Sequence, residues 1–98
     1  MSARHRNELP IPEKASEDPA ARELIRVWGA AGSQHVTIAT GLWDDPGNWG
    51  IVLADLARRV ANSYQLRGTL DRETALKRIR ELFDAEWSHP TDEPTGHI

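Results

Sequence analysis

The chain has 98 residues, a formal net charge of −3 and no cysteine. That length allows one domain with one modest core, and the missing cysteine excludes disulfides, thiolate metal sites and cysteine nucleophiles together. Acidic and basic residues are interspersed, so no overall field draws the chain onto nucleic acid or an anionic membrane, and no apolar run approaches the roughly 20 residues that cross a bilayer.

Residues 1–7 are polar and basic and lack the apolar core of a secretory signal, so a cytoplasmic protein is the simplest expectation. The closing "SHPTDEPTGHI" combines two prolines, a glycine and small polar residues without periodicity. The expected organisation is a disordered tail over 1–7, a single compact domain over 8–88 and a flexible tail over 89–98.

In "ELPIPE" the two prolines stand two residues apart, so both missing N–H groups fall on one edge, while Leu9 and Ile11 bond on the other. The pattern suits an edge strand over about 8–12. The segment "SEDPAARELIRVW" then predicts a first helix, with Ser16 or Asp18 as cap, Pro19 in the first turn and Leu24, Val27, Trp28 and Ala31 at helical spacing. It is expected to stop at "GAAG".

"QHVTIATGLW" changes period. Val36, Ile38, Thr40 and Leu42 fall on one face and His35, Thr37 and Ala39 on the other, which predicts a strand over about 34–42. A strand alone leaves its backbone groups unpaired, so its partner is either the edge strand at 8–12 or the same strand of a second copy across a twofold axis.

The second helix is "PGNWGIVLADLARRVANSYQLR". Trp49, Val52, Leu53, Leu56 and Val60 form a stripe of large residues, and Gly50, Ala54, Ala57 and Ala61 form a stripe of small ones, spaced four, three and four apart. The large stripe is expected to be buried, and the small face to permit close packing or an interface. Gly68 ends this helix, and Asp71 or Thr69 caps a third, "TLDRETALKRIRELFDAEW", whose apolar arc holds Leu76, Ile79, Leu82, Phe83 and Trp87. The fold class is therefore α+β, with three helices in the order α-β-α-α and one clear strand.

Chemistry is sparse. In "TGLWDDPGNWG" every unusual residue has a structural use: Asp45 as N-cap, Pro46 in the first turn, Asp44 adding charge favoured by the helix dipole, and Trp43 meeting Trp49 across the cap. A carboxylate engaged at a cap is poorly placed for proton transfer near neutrality, so no catalytic residue is assigned. The competing reading makes His35, Trp43, Asp44 and Asp45 a ligand or partner surface. His35 alone lacks the convergent groups that a catalytic site needs. The C-terminal His89, Asp92, Glu93 and His97 match no metal-ligand spacing, and no cofactor or metal is implied. Arg58, Arg59, Arg67, Arg72, Lys77, Arg78 and Arg80 form a local basic excess, but on the third helix Glu73, Lys77, Arg80, Glu81 and Asp84 mix both signs along one face and no stacking aromatics are interleaved, against a nucleic-acid footprint. Glu86, inside the third apolar arc, is left to pair with Arg58, Arg59, His35 or another protein. No phosphate loop, nucleophile elbow or H-E-x-x-H pair is present.

The segments R-V-W, W-x-D-P-x-x-W-G, L-A-D-L-A-R-R-V-A and F-D-A-E-W, spread over about Leu9 to Gly96, resemble a family of small bacterial proteins described only as a domain of unknown function. The resemblance implies one compact domain and brings no activity, cofactor or catalytic residue with it. The leading expectation is a non-enzymatic, homodimeric interaction domain that meets a second copy or another protein partner through the strand and the small-residue face. The competing one is a small-molecule binding protein or minor enzyme with a pocket near the strand end and the cap of the second helix.

Overall fold

The computed structural model describes residues 4–91. Their elements run α1 (Glu13–Glu17), β1 (Ile25–Ala30), β2 (Ser33–Ile38), α2 (Gly47–Leu66) and α3 (Arg72–Ser88). The α+β class with three helices holds, and β2 overlaps the expected strand, starting at Ser33 and stopping at Ile38, short of the expected end near residue 42. Two segments differ from expectation: the first helix lies earlier in the chain, and within the chain β2 pairs with residues 25–30, where a helix is expected, rather than with residues 8–12. Backbone contacts divide the chain into a unit ending at Thr40 and another beginning at Gly41, and each is described by itself. The tail readings for residues 1–3 and 92–98 lie outside the described residues.

In the first unit Pro12 adopts φ −56° and ψ 143°, and its carbonyl accepts the N–H groups of Ala15 and Ser16, which starts α1. The two-proline segment is therefore the approach to a short helix. Asp18 starts no helix and instead stands at the C-terminal cap of α1, its N–H donating to the Ala15 carbonyl. Its carboxylate accepts the Ala20 N–H at 2.9 Å and its carbonyl the Ala21 N–H at 3.0 Å, which closes a turn of the kind short polar side chains favour. The chain beyond is extended, and Ile25–Ala30 pairs antiparallel with Ser33–Ile38.

The register explains why a strand replaces the expected helix. Ile25 stands opposite Ile38 and Val27 opposite Val36, so four β-branched residues share one face; Arg26 and Trp28 share the other with Thr37 and His35. The connection is a two-residue turn with both central residues at positive φ, Ala31 at 50° and Gly32 at 76°, the hand that matches strand twist. Alanine is strained there by about 1–2 kcal/mol, whereas asparagine tolerates the region. Ala31→Asn is therefore expected to raise stability by about 1 kcal/mol, read as a higher urea midpoint at unchanged slope.

In the second unit α2 ends in a Schellman motif. Gly68, at φ 74°, donates its N–H to the Gln65 carbonyl at 3.0 Å, and the Thr69 N–H reaches the Tyr64 carbonyl at 3.1 Å. The Gln65 side chain then accepts the Arg72 N–H at 2.9 Å, tying the end of α2 to the start of α3. Asp71 caps α3 as expected, its carboxylate accepting the Thr74 N–H at 2.8 Å and the Thr74 hydroxyl at 3.0 Å.

These bonds, the Thr74 N–H foremost, hold the Asp71 carboxyl below the usual carboxylate range. A folded-state pKa below the unfolded one gives stability that is present above the unfolded value, about 3.9, and is lost as pH falls through the folded one. Asp71→Ala should therefore melt lower than the parent protein near neutrality, with the gap in Tm closing once the pH drops below about 4.

α2 and α3 pack as a helical hairpin in which Ala61 is 0% and Ala75 3% exposed. Ala57 is half-buried, while Gly50 and Ala54 are exposed. The small-residue face therefore divides, its C-terminal part serving the close approach of α3. The large-residue stripe is only partly covered: Trp49 and Val52 are half-buried, whereas Leu53, Leu56 and Val60, with Tyr64 beyond them, and Leu82, Phe83 and Trp87 on α3 are between 40% and 77% exposed. Among the described residues no large side chain is fully buried.

Candidate functional site

His35 belongs to the first unit and Trp43, Asp44 and Asp45 to the second. His35 lies on the polar face of the hairpin, and its Nε2 is 3.0 Å from the Ala30 carbonyl and 3.2 Å from the Ser33 hydroxyl. A carbonyl only accepts, so Nε2 carries a proton and donates it to Ala30. That nitrogen ties the tip of the hairpin and is no base in this arrangement. Across the strand, Trp28 takes the His5 ring edge-on at 5.0 Å. On the same face Arg26 forms two bonds to the Glu23 carboxylate, at 3.1 and 3.2 Å, and lies 3.5 Å from Glu8. Glu23, chiefly through its hydrogen bond, raises the Arg26 pKa above its ordinary value. This cation stays charged and structurally committed.

The second unit begins with the aromatic and acidic cluster. Asp45 accepts the Gly47 N–H at 2.8 Å through its carboxylate and the Asn48 N–H at 3.2 Å through its carbonyl. A Cβ at residue 47 would stand 3.1 Å from that carboxylate oxygen, so glycine leaves the room Asp45 uses. The indoles of Trp43 and Trp49 meet edge to face, with centroids 5.3 Å apart and planes at 74°, the favoured geometry for an aromatic pair. Trp43 and Asp45 are thus brought together as a helix start. Asp44 is exposed beside them.

The arginines of α2 and α3 are largely matched within their own helices: Arg59 with Asp55 at 2.7 Å, Arg80 with Asp84 at 2.9 Å and Arg78 with Glu81 at 3.7 Å. These are solvated faces of mixed sign. Within its unit Glu86 pairs with neither Arg58 nor Arg59 and accepts the Thr91 N–H at 3.1 Å and the Thr91 hydroxyl at 3.2 Å just past the end of α3. Among the described residues no group of three or more His, Cys, Asp or Glu could hold a metal, and no helix is long and apolar enough to cross a membrane. Of the residues considered in the tail, Asp92, Glu93 and His97 lie outside the described residues.

On α2, Trp49, Leu53, Leu56, Val60 and Tyr64 follow one another at spacings of four, three, four and four, which keeps them along one side of the helix. All but the half-buried Trp49 are exposed. On α3, Phe83 and Trp87 stack at 5.6 Å, and both face solvent. The sequence announces these residues plainly, but their periodicity is the same whether the covering surface belongs to this chain or to another.

Over residues 8–91 the chain belongs to the family described as Domain of unknown function (DUF5076). It is also similar, at 32% identity and a TM-score of 0.75, to a solved structure from the photosynthetic bacterium Rhodopseudomonas palustrus CGA009 described as "a putative pyruvate dehydrogenase"; the match covers 100% of this chain and 98% of that one. Among curated proteins none matches.

Proposed function

We propose that the protein is a non-enzymatic interaction domain that associates with itself, in the cytoplasm of a bacterium. The observation that carries this reading is the inverted burial of the helical hairpin, where two alanines are enclosed while seven large apolar side chains stay open. Taking roughly 200 Å² for a fully exposed large side chain, those seven present on the order of 700 Å². A partner in a standard protein interface gives up about 800 Å². The polar groups that an enzyme reading would use are engaged in structure, His35 at the hairpin tip and Asp45 at the helix start. The depressions at the hairpin tip and between residues 23–26 and 37–39 are open to solvent. The dehydrogenase activity named for the similar Rhodopseudomonas structure is therefore not carried over to this chain.

Absolute mass by light scattering on a sizing column, over a range of concentrations, tests the proposal. A mass of twice the 11.0 kDa chain or more is the expected result. A strict monomer at millimolar concentration overturns it.

A further inference from the structure

Resting on self-association, we infer that two copies pair along the outer edge of β2, joining their hairpins into one four-stranded antiparallel sheet about a twofold axis at Val36. The two-residue turn makes Ala30 and Ser33 a hydrogen-bonded pair, so bonded pairs recur at Trp28 with His35 and at Arg26 with Thr37. The Ala39 N–H, 3.0 Å from the Leu24 carbonyl, continues the alternation. Gln34, Val36 and Ile38 therefore turn their N–H and C=O groups outward on β2, as Ile25, Val27 and Gly29 do on β1.

The two edges differ. β1 carries Arg26 with its bound Glu23 and Glu8, and its outward set includes a glycine. Residues 33–40 contain no charge and no proline, the devices that normally guard an edge strand. A two-stranded hairpin is marginal by itself, whereas more strands sharing an apolar face are stable.

A second copy fits this edge by symmetry. In an antiparallel pair centred on Val36, Gln34 lies opposite Ile38 of the other copy and Val36 opposite itself, so all three outward residues bond. A register centred on His35 bonds only two of them within the strand. The Val36 register also keeps Ile25, Val27, Val36 and Ile38 of both copies on one face.

The chain has no cysteine, so single-cysteine variants report self-contact directly. At the axis the two copies of residue 36 form a hydrogen-bonded pair with Cα atoms about 5.5 Å apart and Cβ atoms about 5 Å apart, just beyond the reach of an unstrained disulfide and within that of a short thiol-reactive linker. Val36→Cys is expected to form covalent dimer nearly completely with such a linker, and Val27→Cys, on the other edge, to stay at background. A nitroxide on the exposed Gln34→Cys supplies a second reading, since its two copies lie about 14 Å apart along the strands in this register. A dimeric mass without cross-linking at residue 36 and without a short nitroxide distance overturns the sheet and leaves self-association standing. Preferential cross-linking of His35→Cys likewise overturns the stated register. A monomeric mass overturns both readings together.

Discussion

Ala61→Leu is expected to destabilise the protein by about 2–3 kcal/mol, the upper end of what overpacking usually costs. Ala61 has no exposed surface, and Ala75, the other enclosed residue of the helical hairpin, is 3% exposed. Two helices that meet through alanine sit at short axial distance, and three added carbons have nowhere to go unless the helices separate. Separation would also pull on the Gln65 bond to the Arg72 N–H. Urea unfolding followed by helical circular dichroism checks the result, which should appear as a lower midpoint. Ala54→Leu, on the same nominal stripe but exposed, should stay within about 0.5 kcal/mol of the parent. If Ala54→Leu instead lowers the mass in solution, the open part of the small-residue face is itself an interface.

The contrast between these alanines marks where sequence reasoning held. Helix starts and stops are local chemistry, written in a few adjacent residues. Asp71 caps α3, Gly68 ends α2, and Trp43 and Asp45 assemble the start of α2 on Trp49, all legible because the partners stand within six residues of one another. The strand at β2 was legible for a similar reason, since alternation over 35–39 has no helical reading.

The segment "LIRVWGAAG" was not legible because it satisfies two periods at once. Leu24, Val27, Trp28 and Ala31 sit at helical spacing, while Ile25 and Val27 alternate with Arg26 and Trp28. The tie is broken by residues across the turn, where Ile38 and Val36 supply the apolar partners. Its turn is also unconventional, with alanine at 50° in place of the asparagine or glycine that announces a hairpin. Asp18 then looked like a helix cap because the same side-chain bond that starts a helix also closes an isolated turn.

Leu56→Glu is expected to separate associated copies while leaving the fold of each intact. Leu56 is 40% exposed in the single chain and sits at the middle of the α2 stripe, so a solvated glutamate there disturbs little within one copy. Covered by a partner, the exposed two-fifths of the leucine contributes about 0.6–1.2 kcal/mol through burial. A twofold axis counts that loss twice, which raises the dissociation constant by roughly 10- to 60-fold, and a carboxylate left unpaired beneath the partner adds to it. Light scattering should then show monomer at concentrations where the parent protein is associated, with circular dichroism unchanged. Leu66→Glu, 79% exposed and off the stripe near the end of α2, should leave the mass as it was. Equal effects from both substitutions would point to general solubility and remove the α2 stripe as the contact. Dissociation by Leu56→Glu alone places the missing half of the apolar core in the second copy.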